Sequence, residues 1–202
     1  MRVRTGKLGI IGWLLMLALL SLPVVALGAD DFTEMDQRVL AMAQACRVEV
    51  VKAFGDMVEN GRLKDADLFD SFYIPIADTT PQKFQTRYDK VADEVLQPLL
   101  DRYLLRDGRI VFVIVVDQNG YAPTHNSRYS RPLTGDAEID ARWNRGKRIF
   151  NDRTGLAAAR NRQDSLVQRY SRDTGESMSD LSVPLNFKGR HWGAVRIGYL
   201  NK

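Results

Sequence analysis

Tyr121, Thr124, His125 and Asn126 bring a phenol, a hydroxyl, an imidazole and an amide into six residues. Such a set makes directional hydrogen bonds to a carboxylate or amide of a small ligand, and the imidazole titrates near neutrality. The same groups can instead satisfy one another and the backbone, with His125 anchoring a turn. A second cluster is Arg148, Asn151, Asp152 and Arg153. Arginine clamps a carboxylate through two parallel N–H donors and aspartate holds an ammonium, the two functions that amino-acid recognition needs. The alternative is an Asp–Arg network that ties a loop to a sheet, with Asn151-Asp152 capping a helix into Leu156–Ala159. The candidate ligand-binding residues are therefore Tyr121, His125, Asn126, Arg148, Asp152 and Arg153.

Patterns of catalysis are missing from the chain. No G-x-S-x-G elbow accompanies its serines, and its two histidines occur without H-E-x-x-H or paired acidic spacing, so no metal site is expected. Gly146 and Gly155 are isolated, not part of a phosphate-cradling loop. Cys46 is the only cysteine, which leaves no internal disulfide, no Cys-based metal site and no C-x-x-C-H haem attachment. Its place on an apolar helical stripe predicts a buried, inert thiol. Near the C-terminus Trp192 is expected to pack in the core, Arg190 and His191 to be solvated, and Arg196 to face either a pocket or water.

These groups need elements to position them. Ile110–Asp117 (IVFVIVVD) reads as a buried strand, because β-branched and aromatic side chains suit a pleated surface. Asn119-Gly120 predicts a tight hairpin that returns the polar cluster beside it. Apolar residues at 32, 35, 39, 42, 46, 50, 53/54 and 57 predict one long amphipathic helix over Phe32–Asn60, stopped by Asn60-Gly61. A helix of that length outreaches a small domain, so part of it is free to pair with a second copy. A short helix around Ala66–Phe69 and an extended Tyr73–Ile76 follow. Thr80-Pro81 suits the start of a helix carrying Phe84, Tyr88, Val91, Val95 and Leu99. The segment from Asn126 to Asn144 reads as a loop with a short helical turn. Leu181–Phe187 and His191–Leu200 predict a closing hairpin about Lys188-Gly189, with Val195, Ile197 and Tyr199 on one side. The fold class is α+β: a long N-terminal helix on an antiparallel sheet with short flanking helices.

Residues 1–29 look like an export signal. Arg2, Arg4 and Lys7 precede an apolar Leu8–Leu27, and small residues stand before Asp30. Twenty apolar residues can also span a bilayer, so an uncleaved anchor is the alternative. Taking the signal's three basic residues from the 29 in the chain leaves 26 against 25 acidic. That balance offers no basic surface for nucleic acid. The chain thus divides into a signal or anchor (1–29) and one domain (30–202), placed in the periplasm or tethered to the inner membrane facing it.

Three blocks, LFDSFYIPIADTTPQKFQTRYD (Leu68–Asp89), VDQNGYAPTHN (Val116–Asn126) and RIFNDRTGLAAARN with DLSVPLNFKGRHWGAVRIGY (Arg148–Asn161 and Asp180–Tyr199), resemble the extracytoplasmic Cache-like, PAS-like sensor region of bacterial methyl-accepting chemotaxis proteins. The resemblance covers roughly Asp30 to Lys202. It implies a PAS-like sheet, a small-molecule ligand, and a chemoreceptor or sensor kinase as signalling partner, with a homodimer through Phe32–Asn60 a further partner expectation. Some related sensor domains hold haem, which would make His125 a candidate iron ligand, although the leading expectation is no cofactor. The family's second membrane span, linker and methylated helices do not follow Leu200, and Asn144 stands where many relatives carry a cysteine. A free-standing sensor module is implied, with a ligand-free interaction protein as the competing reading.

Overall fold

The computed structural model describes residues 32–171 and 177–201, so the expected signal segment lies outside the described residues. Helix α1 (Glu34–Glu59) presents Val39, Ala43, Cys46, Val50, Phe54 and Met57 to the core, the stripe its periodicity predicts. It opens on a capping box: Asp36 N–H donates to Thr33 Oγ1 (3.2 Å) and the Asp36 carboxylate accepts from Thr33 N–H (2.7 Å). It closes at Gly61, whose φ of +68° suits a residue without a Cβ. Burial pushes the Cys46 thiol up to about 12, so it is a packing residue.

Short α2 (Asp65–Leu68) leads to a two-stranded ribbon, β1 (Ile74–Ile76) with β2 (Lys83–Gln85). Here the structure departs from the sequence reading. The Thr80-Pro81 bond is cis and lies in a turn, and Phe84 is in β2, its N–H donating to Lys147 O (2.8 Å). Helix α3 (Asp89–Leu104) starts nine residues later than Thr80, where the Asp89 carboxylate accepts from both the N–H and the hydroxyl of Thr86 (3.0 and 2.7 Å). A side-chain bond that favours a turn outcompeted the apolar periodicity.

The main sheet has four antiparallel strands in the order β3 (Ile110–Asp117), β8 (Arg190–Leu200), β7 (Ser177–Phe187), β6 (Leu166–Ser171). Period-two alternation gives it two different faces. Val113, Val115, Leu181, Val183, Leu185, Val195, Ile197 and Tyr199 meet α1 and α3 in the main core, where Trp192 donates its indole N–H to Leu68 O (2.6 Å). Ile114, Val116 and Ala194 face the other way, against Ala122 and Ala159. Gly193 and Gly198 on β8 are required by contact: a Cβ would sit 2.0 Å from Val116 O at the first and 2.2 Å from the Phe112 ring at the second.

The expected hairpin after β3 does not form a ladder. Gln118 N–H still pairs with Trp192 O (2.8 Å), but Asp117 Oδ1 then accepts from the N–H of Asn119 and Tyr121 (2.9 and 3.0 Å) and turns the chain off the sheet. Strand β4 (Tyr121–Ala122) pairs with β5 (Arg148–Ile149) instead. Of Asn119 and Gly120, Gly120 alone is left-handed, with φ +83°, and a Cβ there would lie 2.4 Å from Phe150 O. The segment between β4 and β5 holds a 3₁₀ turn (Ser127–Tyr129) and α4 (Ala137–Trp143), which Asp136 caps through Glu138 and Ile139 N–H. Helix α5 (Arg153–Arg160) completes the cover of this second face.

Candidate functional site

On the sheet face opposite α1, the 125–145 segment arches over an open cavity of about 500 Å³. That volume falls within the usual range for small-molecule sites. Its floor comes from Phe112 on β3, Tyr170 on β6 and Met178 on β7; its wall comes from His125, Arg128, Tyr129, Arg142, Trp143 and Arg145. The register slips between Ile110 and Phe112, and this bulge turns both Val111 and Phe112 to the cavity.

Aromatic rings form a continuous row along the wall. Phe112 meets His125 edge-on with centroids 6.3 Å apart, His125 meets Tyr129 at 5.0 Å, and Tyr129 stacks on Trp143 at 6.1 Å and 18°. Arg131 lies over the Trp143 ring at 3.9 Å and Arg128 over Tyr129 at 5.1 Å. Under the floor, Arg196 and Asp180 form a buried ion pair. Burial opposes the charge on Arg196, but Asp180 holds its pKa above the ordinary value.

His125 is 2 % exposed, and its Nδ1 accepts from Asn126 N–H (2.8 Å), so the ring proton of the neutral imidazole sits on Nε2. Burial pushes its pKa well below the ordinary value, and Arg145, Arg148, Arg196 and Lys83 push the same way. A second cavity of about 470 Å³ lies across His125, lined by Lys83, Thr124 and Lys147 among others. Lys83 donates to Gly146 O, and burial followed by Arg148 and Lys147 pushes its ammonium down to about 8. The buried Thr124 hydroxyl has no hydrogen-bond partner there.

The six residues chosen from sequence are not brought together. Of these, His125 lines the larger cavity. Tyr121 donates to the Asp89 carboxylate (2.8 Å) and to Phe84 O (3.0 Å) beside a bond from Tyr73 to Asp117 (2.7 Å), and it locks β4 to α3 and β2. Asn126 accepts from Val113 N–H (2.8 Å) and donates to Asp101 (3.1 Å), covering the free edge of β3. Asp152 caps α5 by accepting from Gly155 N–H (2.9 Å), and exposed Arg153 begins that helix. Arg148 is half-buried, donates to Ala141 O (3.2 Å), and is pushed down to about 10 by burial and by Arg145. Sequence reasoning missed Arg128, Tyr129, Arg142, Trp143 and Arg145. The available signal was their density of arginine and aromatic side chains in a segment otherwise read as a polar loop.

Among the described residues, no group of three His, Cys, Asp or Glu side chains is placed to hold a metal, and no helix is long and apolar enough to cross a membrane. No protein-family model and no curated protein matches the chain. Among solved structures it is similar to an extracellular ligand binding receptor from Desulfohalobium retbaense DSM5692, with a TM-score of 0.38 and 11% identity over 83% of this chain and 25% of that one. The chain spans about a quarter of that receptor's length. So distant a likeness carries no argument about function.

Proposed function

We propose that the chain is an exported, non-catalytic sensor module of Cache/PAS-like type, which binds a small molecule in the cavity between the sheet and the 125–145 arch. The observation that carries this is the cavity itself, set on one sheet face while the other face holds α1. A ligand that drew the arch inward would press on strands β3 and β7, whose alternate side chains touch α1 and α3. In chemotaxis-type signalling α1 would pass that change to a membrane receptor or kinase, or to a second copy paired through Phe32–Asn60. The module uses neither cofactor nor nucleic acid in this reading; a Soret band on haem titration would overturn the first of these.

The test is a thermal-shift screen of the purified chain against amino acids, organic acids and amines. A ligand at a hundred times its Kd stabilises by about 2.7 kcal/mol. The expected result is stabilisation by at least one class, weakened by His125→Ala and by Trp143→Ala. Silence of the whole screen sinks the reading.

A further inference from the structure

We propose that the second cavity, across His125, is a covalent capture site for a small aldehyde or ketone: the Lys83 amine forms an imine with the carbonyl carbon, and the Thr124 hydroxyl serves the departing oxygen. The site stands apart from the sensor reading, whose ligand lies in the larger cavity. Both side chains line this space of about 470 Å³, and both are buried, at 5 % and 1 % exposure. Lys83, on β2, donates to Gly146 O. Gly146 lies against the Thr124–His125 peptide, where a Cβ added to it would sit 3.4 Å from His125 N and 3.6 Å from the Thr124 carbonyl carbon. Amine and hydroxyl therefore border the same part of the cavity. The Thr124 hydroxyl has no hydrogen-bond partner among the described residues, a costly arrangement that a guest able to bond it relieves. Ile76 and Leu133 border the cavity too, and offer apolar surface to a short alkyl chain.

The surroundings favour amine over ammonium. Asp93 and Asp140 favour the charge, but other donors hold them: Asp93 accepts from Lys147 Nζ (2.6 Å), and Asp140 from the N–H of Thr134 and Gly135 (2.8 and 3.1 Å). Arg148 and Lys147 oppose the charge, and buried His125 is neutral. Burial and these cations bring Lys83 down to about 8. At pH 7.5 about a quarter of such an amine is unprotonated, against about a thousandth of an ordinary lysine. The bond to Gly146 O survives loss of the proton, because the neutral amine keeps two N–H donors, so the nitrogen stays in place with its lone pair free. That pair bonds to the carbonyl carbon, the C=O π pair moves to oxygen, and the oxygen takes a proton shed by nitrogen. Thr124 donates to the oxygen of the resulting carbinolamine. The C–O bond then breaks, the hydroxyl leaves as water with the nitrogen's second proton, and the nitrogen pair closes C=N. No oxidant or cofactor enters, and water reverses the capture.

The test exposes the purified chain to butanal with cyanoborohydride, which reduces an imine to a stable alkylamine, and locates the butyl group by peptide mass mapping. The chain's α-amine, ordinarily near about 8, reacts as well, so the site decides and not the total. At pH 7.5 Lys83 is expected to be labelled about tenfold faster than any other lysine. That lead is expected to shrink between pH 7 and 10, as ordinary lysines also lose their proton. Thr124→Val keeps the shape and removes the orphaned hydroxyl; it is expected to slow Lys83 labelling about tenfold with the melting temperature held or raised. Lys83 labelled no faster than the other lysines, or with a lead that does not change with pH, overturns the capture site and leaves Lys83 a structural cap on Gly146. Labelling unchanged in Thr124→Val overturns the hydroxyl's part. Neither pH readout requires substituting Lys83, so folding of a variant does not decide the result. Failure here leaves the sensor reading standing, because the broad screen tests a different cavity.

Discussion

His125 is neutral in the folded chain where a free histidine begins to charge. Burial, then the surrounding arginines and Lys83, hold its pKa below the unfolded value. The unfolded chain therefore binds more protons below about pH 6.5, and stability falls as the pH drops through that point. One such group gives a slope of at most about 1.4 kcal/mol per pH unit. Urea melts between pH 7.5 and 5 are expected to show this loss, and His125→Gln to flatten it. The Arg196–Asp180 pair supports a second prediction. Arg196→Leu leaves a buried carboxylate unpaired and is expected to cost about 3–5 kcal/mol, whereas Arg196→Leu with Asp180→Leu costs less than that single change. A double-mutant cycle by urea denaturation checks it. At this scale the sequence was a partial guide. His125 stood out because imidazoles are scarce in the chain, but Tyr121, Asn126 and Asp152 proved to hold backbone and helix ends. Which of two uses a polar side chain serves depends on partners distant in sequence, such as Asp89 for Tyr121, and spacing does not reveal those.

Among the elements, α1, β3 and the β7–β8 hairpin were legible, because each repeats its apolar residues at one period over many residues. The start of α3 and the turn after β3 were not. In both places a carboxylate, Asp89 or Asp117, captures nearby donors and redirects the chain, and that bond leaves no mark in hydropathy. Strand β8 supports a sharper test. Gly193→Ala is expected to cost about 2–3 kcal/mol, since the added methyl meets the immovable backbone of β3. Gly198→Ala is expected to cost less in stability, because the Phe112 ring can swing, and to reshape the cavity floor while doing so. Melting curves of the two variants, compared side by side, decide the order.

For the molecule as a whole, the α+β arrangement follows from the two-sided sheet: one face largely apolar and closed by α1 and α3, the other apolar near β3 and partly covered by α5 and the 125–145 arch. The composition of the strands announced the first face. The second was hidden because an arch of irregular backbone, without periodicity, covers it. The outward side of α1 bears on assembly. Val48 is 65 % exposed there, whereas Met35 is 8 % exposed and part of the core. If α1 pairs with a second copy, Val48→Glu is expected to shift light scattering from dimer to monomer with an unchanged melting temperature. Met35→Asp instead lowers the melting temperature, so it reports on the fold and not on pairing.

Asp36 joins the two extremities of the described chain. Its carboxylate accepts from Thr33 at the start of α1, from Arg169 on β6 (2.6 Å) and from the Tyr199 hydroxyl near the end of β8. Burial works against its charge, but these donors hold its pKa at about 2. The stability it gives is full above about pH 4 and fades as the pH falls toward 2. Asp36→Asn is expected to cost about 2–4 kcal/mol at neutral pH, read from urea melts. The clasp also has a mechanical meaning. The first turn of α1 and the last turn of backbone in β8 leave the domain from the same pole, side by side. A pull that separates them does not stretch the sheet lengthwise; it peels this one carboxylate from its donors first. Behind the clasp the ladder takes the load, and it runs through the cavity floor, because Leu200 pairs with Met178 and Gly198 with Phe112.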